Sequence, residues 1–384
     1  MDALNPLNLM AGLYIHIPFC RSRCAYCDFF STTREAEATA YVSALCHELE
    51  GRSVELPHAR VRTIYIGGGT PSVLPASLLR QILECVYANY DVAADAEVTM
   101  EMNPDDIDPS LDFAVASGFS AVNRCSLGIQ TFDDALLRLI RRRHDSAAAI
   151  HAVHTLQAKG IRNISIDLIY GLPSQTLEQW ERDLDTAFSL GVQHLSAYAL
   201  SYEEGTLLTR WRDEGRVCEA SDELSVTMYQ RLCQRARAAG FEHYEISNFA
   251  LPGYRSRHNS SYWTGEPYLG FGPGAHSYDG RSTRRANLPN LDDYIRNSCQ
   301  SFQLETLTTT DLHNEAVMCG LRTCEGIDLN RFLARFGQSR LDALLAAAAP
   351  HLQAGRLINH QSSFLRLAES ALMISDDVMS DLMA

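Results

Sequence analysis

The sequence predicts an α/β fold: an incomplete parallel β/α barrel of about six strands, followed by a smaller, mostly helical C-terminal domain with a winged-helix-like hairpin. Three observations predict it. Short apolar runs alternate with amphipathic stretches through the first half, the pattern of strands joined by crossover helices in a parallel sheet. Every unusual loop follows the C-terminal end of such a run, the face on which β/α barrels assemble their sites. After about residue 300 the alternation gives way to helical runs that lead into a short hairpin.

The apolar runs span residues 13–18, 61–66, 97–102, 121–129, 161–169 and 194–200, and helical patterns fall at 38–50, 78–89, 133–142, 147–159 and 177–190. Periodicity alone fits a doubly wound sheet as well as a barrel. The loops favour the barrel. The first run leads into three cysteines, the second into GGGTP at 67–71, the third into Asn103 and Pro104, the fourth into Gln130 and the fifth into 170–173. A helix is expected over 222–239, then a long functional loop over 248–280 rich in Gly, Pro and aromatic residues. Helices at 311–322, 329–336 and 340–349 precede strands at 357–359 and 364–367. The domains follow as a barrel core at 1–240, a Gly/aromatic segment at 241–300 and a helical domain at 301–384.

Composition narrows the function. Thirty-three Lys and Arg against 47 Asp and Glu give a net charge of −14, which repels a phosphate backbone and makes nucleic acid a poor partner. Eleven cysteines in 384 residues are too sparse and irregular for a disulfide framework. No secretory leader pattern opens the chain, and no apolar run approaches the roughly 20 residues that span a bilayer. A cytoplasmic location is the expectation.

The motif with the most chemistry is Cys20, Cys24 and Cys27 in HIPFCRSRCAYCDFF. CxxxCxxC supplies three thiolates to one small volume with no fourth cysteine nearby. A structural zinc site wants four protein ligands, whereas three thiolates on a 4Fe-4S cluster leave one iron open to an outside molecule. The alternatives are zinc completed by His16 or a distant cysteine, or three unlinked thiols, and His16 could instead pack beneath the loop. Tyr26 and Phe29 are placed to screen the thiolates from water, or to join the core. GGGTP lacks the spacing of a dinucleotide loop or a P-loop, so its glycines read as a close backbone approach to a ligand. Glu101 and Asp167 lie in apolar strand contexts where a carboxylate needs a partner. Gln130 and Arg142 add an amide and a fixed cation, on strand ends or the adjoining helix, and together the four describe a site for a zwitterionic nucleoside. The other eight cysteines read as small apolar filler.

These motifs in this order resemble the radical S-adenosylmethionine superfamily. YIHIPFC, GIQTF, IDLIYGLP and GAHSY are similar, over nearly the whole chain, to the oxygen-independent coproporphyrinogen oxidases and their haem-chaperone relatives. The resemblance implies that the three cysteines bind a 4Fe-4S cluster whose fourth iron is chelated by S-adenosylmethionine. It also implies that Tyr14, Gly68, Gly69, Thr70, Glu101, Gln130, Arg142 and Asp167 surround that molecule. Two features point to the chaperone branch. The oxidases carry CxxxCxxCxC, and here the position two beyond Cys27 is Phe29. The segment His258, Asn259, Ser260, Ser261, Tyr262, Trp263 matches an HNxxYW motif linked to haem. Imidazole is a common haem ligand, and Tyr262 and Trp263 offer flat apolar area for a porphyrin. His276 is the rival ligand. The resemblance therefore implies a haem chaperone that serves acceptor haem proteins, membrane-bound respiratory ones included, with peripheral membrane contact and a homodimer as further implications. The alternatives are a radical enzyme acting on a porphyrinogen propionate, and a protein-interaction module on an inactive barrel.

Overall fold

The computed structural model describes residues 10–56, 58–107, 122–361 and 363–384. Six parallel strands form the barrel wall in sequence order: β1 (Met10–Ile17), β2 (Arg60–Gly68), β3 (Val92–Met102), β4 (Arg124–Gln130), β5 (Ile164–Tyr170) and β6 (His194–Ala199). Helices α1 (Ala38–Gly51), α2 (Ala76–Asn89), α3 (Asp134–Leu139), α4 (Ser146–Ala158) and α5 (Leu177–Ser189) connect them. Successive side chains of a strand point to opposite faces. Ile64, Ile66, Val98, Met100, Leu127, Ile166 and Leu195 join the main apolar core. Tyr65, Glu101, Ser126, Asp167 and Ser196 line the barrel interior. An incomplete barrel with a polar lumen results. The start of the run expected at 121 lies outside the described residues.

Two expectations are corrected. The helical pattern at 133–142 stops at Leu139, because Arg141 adopts φ 59° and the chain turns out of the helix; Arg142 lies beyond it. The supposed loop over 248–280 is regular structure. After α6 (Leu207–Asp213) and α7 (Asp222–Ala238) come β7 (Glu242–Glu245), β8 (Asn248–Ala250), α8 (Arg257–Thr264), β9 (Tyr268–Phe271) and β10 (His276–Tyr278). β11 (Thr283–Asn287), α9 (Leu291–Asn297) and β12 (Phe302–Thr306) follow. Ser256 Oγ accepts from Asn259 N to start α8, and Gly265 ends it with φ 69°, a conformation glycine adopts without strain. Helical signal is weak there because the buried face of α8 is made of His258 and Ser261 rather than aliphatic residues.

β9 pairs in parallel with β1 and carries β10, β11 and β12 outward, while β8 and β7 extend the far edge beyond β6, so one 12-stranded open sheet holds the whole N-terminal region. The C-terminal region contains α10 (Thr309–Arg322), β13 (Ile327–Asp328), α11 (Leu329–Phe336), α12 (Gln338–Gln353), β14 (Leu357–His360), β15 (Phe364–Leu367) and α13 (Ser375–Leu382). Its three-stranded sheet and helices enclose a separate core around Val317, Leu321 and Leu344. The expected hairpin is β14 and β15.

One buried ionic cluster ties the sheet extension to the barrel. Glu48 on α1 is fully buried and accepts from Arg52 Nη1 at 2.9 Å, Gly272 N at 3.0 Å, Asn287 Nδ2 at 2.8 Å and Tyr294 OH at 2.6 Å. Arg52 also donates to Gly270 O and Ser277 Oγ. Removing Glu48 leaves Arg52 its pair with Glu55 at 2.8 Å but strands the buried donors of Gly272, Asn287 and Tyr294 and takes away one of the two carboxylates that balance the guanidinium. Glu48→Ala should lower unfolding stability by about 3–5 kcal/mol, seen as a fall in denaturant midpoint. Glu48→Gln, which keeps its acceptor oxygen, should lose less.

Candidate functional site

The cysteine loop leaves the end of β1 and is pinned from both sides. Thr32 N donates to Pro18 O at 2.7 Å, Cys20 N to Thr32 O at 2.9 Å and Ala25 N to Ile140 O at 3.0 Å. His16 packs beneath it: Nε2 donates to Phe30 O at 2.8 Å, which leaves Nδ1 to accept from Tyr14 OH at 3.0 Å. That histidine is a loop anchor with no nitrogen left for a metal. Cys20, Cys24 and Cys27 line a cavity of about 500 Å³ at the C-terminal mouth of the barrel. Among the described residues, no three His, Cys, Asp or Glu side chains close on a single ion.

The glycine loop explains itself by contact. A Cβ on Gly67 would lie 2.8 Å from the Tyr65 ring and 2.9 Å from the Glu101 carboxyl, and one on Gly69 would lie 3.0 Å from Cys20 Sγ. Gly68 has φ 108°, and its amide donates to Glu101 Oε2 at 2.9 Å. The bare strand end thus brings Glu101, Cys20 and backbone groups together. Thr70 Oγ1 sits 3.3 Å from Cys20 Sγ and accepts from Asn103 Nδ2 at 3.1 Å. Arg142, carried on the turn after α3, donates to Cys24 Sγ at 3.3 Å, to Asn103 Oδ1 at 2.6 Å and to Gly128 O. Burial pushes the Cys27 thiol up to about 11.

The structure brings Gly68, Gly69, Thr70, Glu101, Gln130, Arg142 and Asp167 to the same cavity as the three thiols. Tyr14 stands deeper, behind Tyr65, with ring centroids 6.1 Å apart, and is not among the lining residues. Phe29, expected to screen the thiolates or to join the core, is 64% exposed and does not join the core; Tyr26 lines the cavity and packs against Leu136, Ile140 and Leu172. Sequence reasoning missed Tyr65, Arg124, Ser126 and Ser196, which line the same wall. Arg124 is 1% exposed, and its Nε has no hydrogen-bond partner. The available signal was a charged residue inside an apolar strand run, the same signal that marked Glu101.

The HNSSYW segment is split. His258 is 1% exposed inside the barrel near the start of β2, with Nδ1 2.8 Å from Thr63 Oγ1 and Nε2 2.8 Å from Tyr262 OH. Both nitrogens are engaged, and burial, reinforced by the Arg124 charge, lowers its pKa to about 3; the ring is neutral. Asn259 lines the thiol cavity. Tyr262 and Trp263 line a second cavity of about 570 Å³, between α8 and the C-terminal region. His276 is exposed on β10 and lines neither.

Burial lifts the carboxyl of Glu101 to about 7, against hydrogen bonds from Tyr65 OH at 2.7 Å and Gly68 N that favour the anion. Burial likewise lifts Asp167 to about 6. Both folded values exceed the ordinary 4.5 and 3.8, so the folded chain holds protons that the unfolded chain has released. Stability should therefore fall as pH rises from about 4 to 7, with Glu101 contributing on the order of 3 kcal/mol. Denaturant titrations across that window should show the decline, and Glu101→Gln should flatten much of it.

The family comparisons agree with this geometry. A model described as the radical SAM superfamily matches residues 14–187, and one described as the HemN C-terminal domain matches 307–374. The chain is 34% identical to a protein named heme chaperone HemW from Bacillus subtilis, over 96% of this chain and 98% of that one. It is 35% identical to the HemW of Escherichia coli over 88% of each. A Danio rerio protein named radical S-adenosyl methionine domain-containing protein 1, mitochondrial, is 31% identical over 96% of this chain and 86% of its own. Among solved structures, coproporphyrinogen III oxidase (HemN) from Escherichia coli superposes with a TM-score of 0.84 at 22% identity, covering 100% of this chain and 92% of that one. No described helix is long and apolar enough to cross a membrane. A three-thiol loop above a polar lumen, a HemN-like architecture and full-length similarity place the chain in the HemW family of the radical S-adenosylmethionine superfamily.

Proposed function

We propose that this protein binds haem and transfers it to acceptor haem proteins, membrane-bound respiratory ones included, and that it carries a 4Fe-4S cluster on Cys20, Cys24 and Cys27 with S-adenosylmethionine beside it. The observation that carries the reading is the pairing of two separate cavities, one lined by the three thiols and the other by Tyr262 and Trp263. The HemW relatives bear the name of heme chaperones. When bound, the cluster and S-adenosylmethionine supply one-electron chemistry.

The protein's own groups suit those occupants. Arg142 offers fixed positive charge for a carboxylate. Glu101 and Asp167 are acceptors for ammonium and hydroxyl groups, and Gln130 can pair with an adenine or ribose edge. Gly68 and Gly69 put main-chain groups on the wall of the thiol cavity, within reach of a ligand held there. Phe29 occupies the position where the oxidase pattern has a further cysteine, which favours carriage over porphyrinogen turnover.

Two measurements test this reading, the first its cluster and the second carriage against turnover. After anaerobic reconstitution, Cys24→Ala should lose bound iron and the brown absorbance; a variant that keeps both would contradict the three-thiol assignment. The reconstituted wild type, given reductant and S-adenosylmethionine, should leave coproporphyrinogen unconverted while binding haem and yielding it to an apo-haem protein. Efficient decarboxylation without haem transfer would establish the enzyme reading instead.

A further inference from the structure

The second cavity has a composition that the cluster site does not use. Its walls are α8 with β9 and β10 on one side and α10 and α11 on the other, and its 570 Å³ falls within the range that encloses a medium-sized organic ligand. Aromatic surface comes from Trp263, Tyr268 and Phe332. The indole Nε1 of Trp263 is buried with no hydrogen-bond acceptor, an incomplete state for a donor that is costly to desolvate.

Charge in the cavity is asymmetric. Arg284 is paired with Glu315 at 2.8 Å and Arg255 with Glu325 at 2.6 Å. Asp328 caps α11 by accepting from Asn330 N and Arg331 N. Arg331 and Arg335, one turn apart on α11, form no salt bridge among the described residues: Arg331 donates to Thr264 O at 3.1 Å, and Arg335 hydrogen-bonds the Tyr278 hydroxyl and lies 5.2 Å over the Phe336 ring. Two guanidinium groups without a salt-bridged carboxylate, beside flat apolar walls, match a planar ligand with two carboxylates. No histidine lines this space. Cys319 on α10 does, as a free thiol.

We propose that this cavity is the tetrapyrrole site, with Arg331 and Arg335 on the two propionates of haem and Cys319 Sγ as the iron ligand. It rests on the haem-carrying reading and moves the iron away from His258. On binding, the thiol releases its proton to solvent and the sulfur lone pair forms the bond to Fe(III), with no change of oxidation state. His258 is then a positioning residue: held by Thr63, it fixes Tyr262 OH and so the wall of the cavity. A thiolate bound on one face leaves iron that an acceptor's imidazole can take over.

The test is an absorbance titration of the full chain with haem and with metal-free protoporphyrin. Cys319→Ser should shift the Soret band and weaken haem binding, while protoporphyrin binding stays as in wild type. Arg331→Gln with Arg335→Gln should weaken both ligands by about 10- to 100-fold. Tyr268→Phe, which removes the other free oxygen donor facing the cavity, should keep the wild-type spectrum. A wild-type Soret band in Cys319→Ser, or its loss in Tyr268→Phe, would overturn the ligand assignment. Unchanged affinities in the double arginine variant would place the porphyrin elsewhere and leave haem carriage standing. A wild type that binds neither ligand would overturn both the site and the haem-carrying reading.

Discussion

The structure depends on one constraint: an open barrel whose inner face is polar must find partners for most of the groups it buries, Arg124 Nε and Thr99 Oγ1 being left without one. Apolar side chains on the strands face outward into the helices, so the lumen receives Thr63, Glu97, Arg124, Ser165 and His194, each costly to bury unpaired. Helix α8 answers much of that demand. Its amides at Arg257 and His258 donate to the Glu97 carboxylate at 3.1 and 3.0 Å, where the helix N-terminus and an anion favour each other. His258 inserts among Thr63, Tyr65 and Gly12, stacking on Tyr65 at 5.1 Å. Gly12 has no room for a methyl group there, because one would lie 2.9 Å from Thr63 Oγ1 and 3.2 Å from the imidazole.

That plug also makes α8 a partition. Asn259 faces the thiol cavity, whereas Tyr262 and Trp263 face the cavity against the C-terminal region. Between them runs a line of contacts: Tyr262 OH to His258, the imidazole stacked on Tyr65, and Tyr65 OH to Glu101. A ligand that moves Tyr262 would press on the same imidazole that backs the wall of the thiol cavity. The C-terminal region is fastened to this wall by Arg322 to Glu245 at 2.8 Å and by Arg331 to Thr264 O, so the two cavities share one rigid element.

Much of the candidate site was legible in the sequence because it depends on local rules. Strand alternation, loops after strand ends and the cysteine spacing all act over fewer than ten residues, and they led to Cys20, Cys24, Cys27, Gly68, Glu101 and Asp167 in one cavity. The misreadings share a cause. Residues 248–280 looked like loop because Gly, Pro and aromatic residues mask a pattern whose partners are distant: β9 is a strand because β1 lies beside it, and α8 buries His258 rather than leucine. Arg142 looked helical because the left-handed turn at Arg141 has no signature in residue type. Arg124 escaped notice because an arginine in an apolar run is meaningful only once the lumen around it is known.

By itself, the sequence determined the parallel β/α architecture, the three-thiol loop and the family, since each follows from spacing and order along the chain. Only the tertiary structure decided what the HNSSYW segment does. Its six residues fall on one short helix, and a helix distributes neighbours around its axis. His258 is therefore carried into the lumen, Asn259 to one cavity and Tyr262 and Trp263 to the other. Adjacency in the chain suggested a single site; burial on three sides of one helix made it a wall between two.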